Sequence, residues 1–357
     1  MKIGILTLPL HTNYGGILQA YALQTIMQRM GYEVAIIHVR NWEQRNYGFR
    51  SKILSIIKKG LPHKIKKSQK RIFPFICKNL KIKSYECFSS IRRNDFDIII
   101  VGSDQIWNKN FVPFIEDAFL SFAKEWNIKK IAYAVSLGSD KWNYSISQTE
   151  KCKDLAKRFS MISVREMSAI NLCEKNLCVK ASHVLDPTLL LQKDDYEYLI
   201  SKNSSKGVAK AIIFSYFIVD TDKEREILSW IKDFYKYREV TISLKAPKLN
   251  KNIMLPSVDE WLQCIHDADF VFTDSFHCCI FSILFKKKFL VTNSGKGSTR
   301  LTSLLSSIGM ERCIINENIS EKLLLEKLNE NIEPNDETIL SIKKQQELSF
   351  SFLKNIC

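Results

Sequence analysis

Ala268 to Leu284, ADFVFTDSFHCCIFSIL, reads as a strand, a polar turn and a helix. Asp269 to Thr273 is short and rich in Phe and Val, as a buried strand requires. Cys278 to Leu284 is apolar again and is bounded by Lys286 to Lys288. Thr273, Asp274, Ser275 and His277 lie between. In an open α/β sheet this is the carboxyl end of a strand feeding a helix N-terminus, where backbone N–H groups and the helix dipole favour an anion. One imidazole stands at that mouth. The competing reading is that Ser275 or Asp274 caps the helix and His277 is a half-buried residue with its hydrogen bonds met.

Working outward, the same alternation recurs along 357 residues, a length that suits two domains of about 150 residues each. Lys2 to Leu8 is the first strand. Pro9 to Gly16 reads as a loop ending in Gly15 and Gly16, Ile17 to Met30 as a helix closed by Gly31, and Tyr32 to Val39 as the second strand. The Gly-Gly turn allows close approach to a ligand. It is not G-x-G-x-x-G, however, and Arg40 follows where an acidic ribose ligand would stand, which argues against a dinucleotide site. Asn13, Tyr14, Gly15 and Gly16 are candidates for a phosphate or acceptor-sugar contact.

Asp97 to Val101 is a further buried strand ending in Gly102-Ser103-Asp104-Gln105, with Asp104 and Gln105 again at a carboxyl end. Asp95-Phe96-Asp97 precedes that strand, on the wrong side for a site, and reads as strand-entry solvation. Lys130 to Ser136 and Met161 to Val164 are strands. Ser163 with Glu166 fits a capping box for a helix from Met167 to Glu174, which leaves Arg165 at a strand–helix junction suited to a carboxylate or phosphate. Asp186 and Pro187 in HVLDPTLLL mark another strand end.

The fold class is α/β, two Rossmann-like domains facing a cleft. We place an N-terminal domain at 1–201 with a basic insertion at 40–93, a linker at 202–206, and a C-terminal domain at 207–335. A last helix at 336–357 is expected to cross back to the first domain. Asn293 to Arg300, NSGKGSTR, is a loop on the same edge as the central stretch, and it carries Lys296 and Arg300.

The formal charge of +15 is concentrated. Arg40 to Arg93 holds sixteen Lys and Arg against Glu43 and Glu86, a local balance of +14. No helix-turn-helix, RRM or zinc-finger pattern accompanies it, so nucleic acid is not expected as a partner. Apolar residues interleave with the charge at Ile53, Leu54, Ile56 and Ile57 and at Ile72, Phe73, Phe75 and Ile76. That mixture fits peripheral contact with an anionic membrane surface or a lipid-linked acceptor, or else a solvated insertion that only packs. The start of the chain reads as a strand and not a signal peptide, and no apolar run is long enough to span a bilayer. Ten scattered cysteines without C-x-x-C or zinc spacing point to a reducing cytoplasm, with no disulfide and no structural metal.

Taken in order, NYGGILQAYAL, VGSDQIWN, SVRE, VLDPTLLL, TDSFHC and STRLTSLLSSIGMERC resemble the polysaccharide pyruvyl transferase family over nearly the whole chain from Lys2 to about Cys313. The resemblance implies a GT-B-like fold and transfer of pyruvate from phosphoenolpyruvate onto two sugar hydroxyls as a cyclic ketal, in the making of cell-surface or lipid-linked glycans. It implies no metal and no organic cofactor. The family's donor site uses an Arg in mid-chain, matched by Arg165, and later an Arg-Leu-His. His277 matches the histidine, whereas Ser275-Phe276 stands where Arg-Leu would be. Arg300 and Lys296 are the cations that could replace the absent Arg.

On this reading His277 is the general acid or stabilises the leaving phosphate, Asp104 is a base or acceptor ligand, and Arg165, Ser275, Lys296 and Arg300 bind donor. Asn13, Tyr14, Gly15, Gly16 and Gln105 contact acceptor or phosphate. A nucleotide-sugar glycosyltransferase, or a glycan-binding protein of the same fold without turnover, are the alternatives. The expected location is the cytoplasm, at the inner face of the membrane if 40–93 touches lipid.

Overall fold

The computed structural model describes residues 1–40, 42, 66–112, 114–201, 212–250, 252–293 and 298–356. The expected linker 202–206 and Lys296 lie outside these residues. Two wholly parallel sheets form the frame. The first has seven strands in the order β3-β2-β1-β4-β5-β6-β7: β1 Lys2–Leu6, β2 Glu33–Val39, β3 Ile82–Tyr85, β4 Ile98–Gly102, β5 Lys129–Val135, β6 Met161–Val164 and β7 Ser182–His183. The second has five in the order β12-β11-β10-β8-β9: β8 Ile212–Phe217, β9 Arg238–Ser243, β10 Phe270–Thr273, β11 Lys288–Thr292 and β12 Ile314–Ile315. Helices cover both faces of a parallel sheet, so its central strands are apolar throughout. Every residue of β4, IIIVG, and of β10, FVFT, is buried.

Strand order reverses between β1 and β4 in the first sheet and between β8 and β10 in the second. At such switch points adjacent crossovers run to opposite faces, leaving a crevice at the carboxyl ends. The segments after β1, β4 and β10 are those that the sequence marks as polar.

The first helix, Tyr14–Arg29, joins the two halves. Tyr14 is fully buried, stacks on Trp261 with ring centroids 5.1 Å apart, and donates its hydroxyl to the Pro256 carbonyl at 2.8 Å. One apolar cluster therefore takes in residues of both halves, from Ile3 to Ile356, and a second lies within the first half. The last helix, Asp336–Lys354, returns to the first sheet. Ser349 Oγ accepts from the Leu185 amide at 3.0 Å, and Lys129 Nζ donates to the Ile356 carbonyl at 2.9 Å.

Two expectations are corrected here. Gly15 and Gly16 do not form a loop, because the helix begins at Tyr14 with Asn13 as its cap, Asn13 Oδ1 accepting from the Gly16 amide. The run 40–93 is not wholly an insertion either. Its later part supplies the helix Phe73–Asn79 and strand β3, and Ile72, Phe75 and Ile76 are buried in the core, leaving only Phe73 of that group exposed. Those three side chains face the core and not a lipid surface, and Ile53 to Ile57 lies outside the described residues. Among the described residues no helix is long and apolar enough to cross a membrane.

Candidate active site

Four strand ends and two helices bring five charged or titratable side chains together. Arg165 leaves the end of β6. Its Nη1 donates to Asp186 Oδ2 at 2.7 Å and its Nη2 to Asp104 Oδ1 at 3.3 Å. Asp186 follows β7 and caps the turn Pro187–Leu189, Oδ1 accepting from the Thr188 amide at 3.0 Å and hydroxyl at 2.7 Å. Ser103 Oγ donates to its Oδ2 at 3.2 Å, and the Ser103 amide donates to Gln19 Oε1 at 2.9 Å. Asp104 Oδ2 accepts from Asn13 Nδ2 at 3.2 Å. The first domain thus holds a closed network.

The second domain adds two side chains. The helix Phe276–Leu284 is capped by Ser275, whose Oγ accepts from the Cys278 amide at 3.4 Å, and His277 lies in its first turn. His277 Nε2 stands 3.5 Å from Asp186 Oδ2, near enough for an ion pair but too long for a hydrogen bond. Arg300, on the helix Ser298–Ser307, reaches Asp104 Oδ1 with Nη1 at 3.7 Å. The Phe276 ring lies 4.3 Å from the Arg165 guanidinium carbon and 5.6 Å from that of Arg300. Arg165, His277 and Arg300 are all more than nine-tenths buried.

Burial works against each charge and the partners decide the outcome. Asp104 is pushed up by burial, yet Arg165, His277 and Arg300 hold it below the usual carboxylate range. Asp186 is likewise opposed by burial and held well below that range by His277 and Arg165. Desolvation would lower Arg165, but Asp186 and Asp104 raise it above the ordinary guanidinium value. Arg300 differs. Burial and repulsion from Arg165 bring it down to about 10, with Asp104 too distant to offset them. Three nitrogens at this junction, Arg165 Nε, Arg300 Nε and His277 Nε2, are buried without a hydrogen-bond partner among the described residues. Buried donors are rarely left so, and all three belong to basic side chains.

Several candidates have other work. Tyr14 is in the domain junction. Gly16 is held by the Asn13 cap. Gly15 has no Cβ because one would stand 2.0 Å from His277 Nδ1, so its smallness admits the imidazole and not a phosphate. Gln105 Oε1 accepts from Asn108 Nδ2 at 2.9 Å and packs on Gly138, where φ is +68° and a Cβ would be 2.2 Å from that oxygen. Ser275 is the helix cap. Asp104 accepts from Arg165 and lies at ion-pair distance from Arg300, a poor state for a base. The capping box of Ser163 with Glu166 is corrected: Ser163 lies within β6 and donates to the Ala132 carbonyl, while Glu166 accepts from Ser136 and the Gly138 amide.

Asp186, Ser103 and Phe276 were not among the site residues read from sequence. The signal for Asp186 was its place between an apolar strand and Pro187, shared with many strand ends.

Two parallel α/β domains with polar strand ends meeting at their junction define a GT-B-like fold. UDP-GlcNAc 2-epimerase from Neisseria meningitidis, bound to UDP-GlcNAc, superposes with a TM-score of 0.51 at 9% identity, covering 99% of this chain and 100% of that one. The MnaA–UDP structure from S. aureus gives 0.53 at 12%, covering 100% and 97%. UDP-GlcNAc 2-epimerase from Methanocaldococcus jannaschii gives 0.50 at 12%, covering 98% and 100%. At such identities the likeness is one of fold. No curated protein matches the chain. The family model for polysaccharide pyruvyl transferase matches residues 13–295, and the chain belongs to that family.

Proposed function

We propose that the protein transfers pyruvate from phosphoenolpyruvate to two hydroxyls of a sugar acceptor, forming a cyclic ketal on a cell-surface polysaccharide or its lipid-linked precursor. The observation that carries this reading is the set of three buried, unpartnered nitrogens of Arg165, Arg300 and His277 at the domain junction. Phosphoenolpyruvate carries a carboxylate and a phosphate on one carbon, so its desolvation calls for several charge-assisted hydrogen bonds. Arg165 and Arg300 bind these groups, Arg300 standing in for the cation that Ser275 does not supply. Lys296 is a further donor contact in this reading.

His277 delivers a proton to the methylene carbon, making the adjacent carbon electrophilic. A sugar hydroxyl adds to that carbon, the bond to the phosphate oxygen breaks, and a second hydroxyl closes the ketal. Of the two hydroxyl protons lost, one replaces the proton delivered to carbon and the other leaves on phosphate. Asp186, beside His277 Nε2, stabilises the imidazolium, and Asp104 orients Arg165 and Arg300.

A nucleotide-sugar donor is the second reading, favoured by Ser275-Phe276 in place of Arg-Leu and by UDP in the MnaA structure. A thermal-shift titration with phosphoenolpyruvate, beside UDP- and GDP-sugars, separates the two. Stabilisation by phosphoenolpyruvate, lost in Arg165→Lys, is expected. Stabilisation by a nucleotide sugar alone overturns the proposal.

A further inference from the structure

We infer that Phe276 is a positioning residue of the donor site: its ring seats the guanidiniums of Arg165 and Arg300 together, so that cations from two domains present one anion-binding edge. The inference rests on the donor reading above and adds to it a group that touches no substrate.

Two buried guanidiniums repel, and Asp104, their shared carboxylate, is 3.3 Å from one and 3.7 Å from the other. Asp186 also fixes Arg165, at 2.7 Å, so Arg300, held at ion-pair distance only, is the guanidinium whose direction the carboxylates leave open among the described residues. The faces of an aromatic ring attract cations within about 6 Å of the centroid, an attraction that strengthens when water is excluded. Phe276 meets that condition for both, at 4.3 and 5.6 Å, and is itself only 4% exposed. The His277 ring meets it edge to face, 5.2 Å away and at 90°, so the same phenyl group also limits the imidazole. The three basic side chains with an unpartnered nitrogen, from three separate elements, thus share one aromatic contact. A leucine would fill much of the space without the ring quadrupole. That difference separates positioning from packing.

The test is calorimetric titration with phosphoenolpyruvate and, separately, with inorganic phosphate, on wild type, Phe276→Leu, Phe276→Tyr, Arg300→Ala and the Phe276→Leu/Arg300→Ala double variant. Phe276→Met replaces the leucine variant should that fail to fold. Phe276→Leu is expected to weaken both anions by about tenfold, the scale of a desolvated cation–π contact, and Phe276→Tyr to restore most of the affinity. The double variant should lose less than the product of the single losses, since the ring acts through Arg300. In turnover, the leucine variant should raise KM for donor more than it lowers kcat. Unchanged affinity in Phe276→Leu, a tyrosine variant as weak as the leucine one, or losses that multiply would overturn the inference. A wild type that binds phosphate but not phosphoenolpyruvate would sink the donor reading and leave the clamp to be judged on phosphate. A wild type that binds neither would overturn both.

Discussion

The two domains bring opposite kinds of charge to their junction. On the first, Arg165 is held by two carboxylates, and those are held in turn by Ser103, Thr188 and Asn13. On the second, His277 and Arg300 each reach a carboxylate only at ion-pair distance, and each keeps a nitrogen with no bond. The first side is a frame closed but for Arg165 Nε, and the second holds its charges only loosely until a ligand binds. Removing a carboxylate of the first should cost stability, and removing a cation of the second should cost function.

The largest expected effect is Asp186→Ala, which leaves Arg165 buried beside a lost partner. Breaking a buried pair from one side costs about 3–5 kcal/mol, to be read from urea denaturation. Arg300→Ala should change stability by less than about 1 kcal/mol, because its burial is poorly compensated to begin with. Equal losses in the two variants would break the comparison. Next is His277→Ala, expected to fold as wild type and to lose turnover by about 10²–10⁴-fold, the usual worth of a positioned acid. Wild-type phosphate release from phosphoenolpyruvate in that variant would remove His277 from the chemistry.

Gly15→Ala sharpens the same point from the opposite domain. Its Cβ would meet His277 Nδ1 at 2.0 Å, so the imidazole must move, at a cost of about 1–3 kcal/mol for overpacking. Turnover should fall with little loss of secondary structure by circular dichroism. An active Gly15→Ala enzyme would mean that the imidazole has freedom the packing denies it.

The last effect, on the pH dependence of stability, concerns Asp274, one residue before the helix cap. Burial pushes its carboxyl up to about 7, although the Ile218 and Val219 amides each donate to it at 2.7 Å. An unfolded Asp titrates near 3.8. Between those values the native protein holds a proton that the unfolded chain has lost, so this group's contribution is full below the lower value and fades as pH rises towards 7. Asp274→Asn should flatten the fall in stability across that window. An unchanged slope would show that the carboxyl titrates normally.

Much of the fold could be read in the sequence because parallel strands buried on both faces must be apolar. IIIV and FVFT are legible on that ground, and so is the polar residue that ends each of them. Strand β3 was hidden because IKSY lies at a sheet edge, with three of its four residues exposed, inside a basic run that obscures its pattern. The site was legible residue by residue where chemistry is rare, as at His277 and Arg165. It was not legible where the meaning lies in partners distant along the chain. Asp186 meets Ser103 across 83 positions, and no local spacing announces that. Gly15 and Gly16 misled because a glycine required by a neighbouring side chain looks the same in sequence as one required by a phosphate.

The three open nitrogens are best probed by a crystal structure of the protein with phosphoenolpyruvate. The expected result is a ligand at the domain junction with its carboxylate and phosphate oxygens within hydrogen-bonding distance of Arg165 Nε, Arg300 Nε and His277 Nε2. Phosphoenolpyruvate bound elsewhere, or those three nitrogens still unpartnered with ligand present, would contradict it.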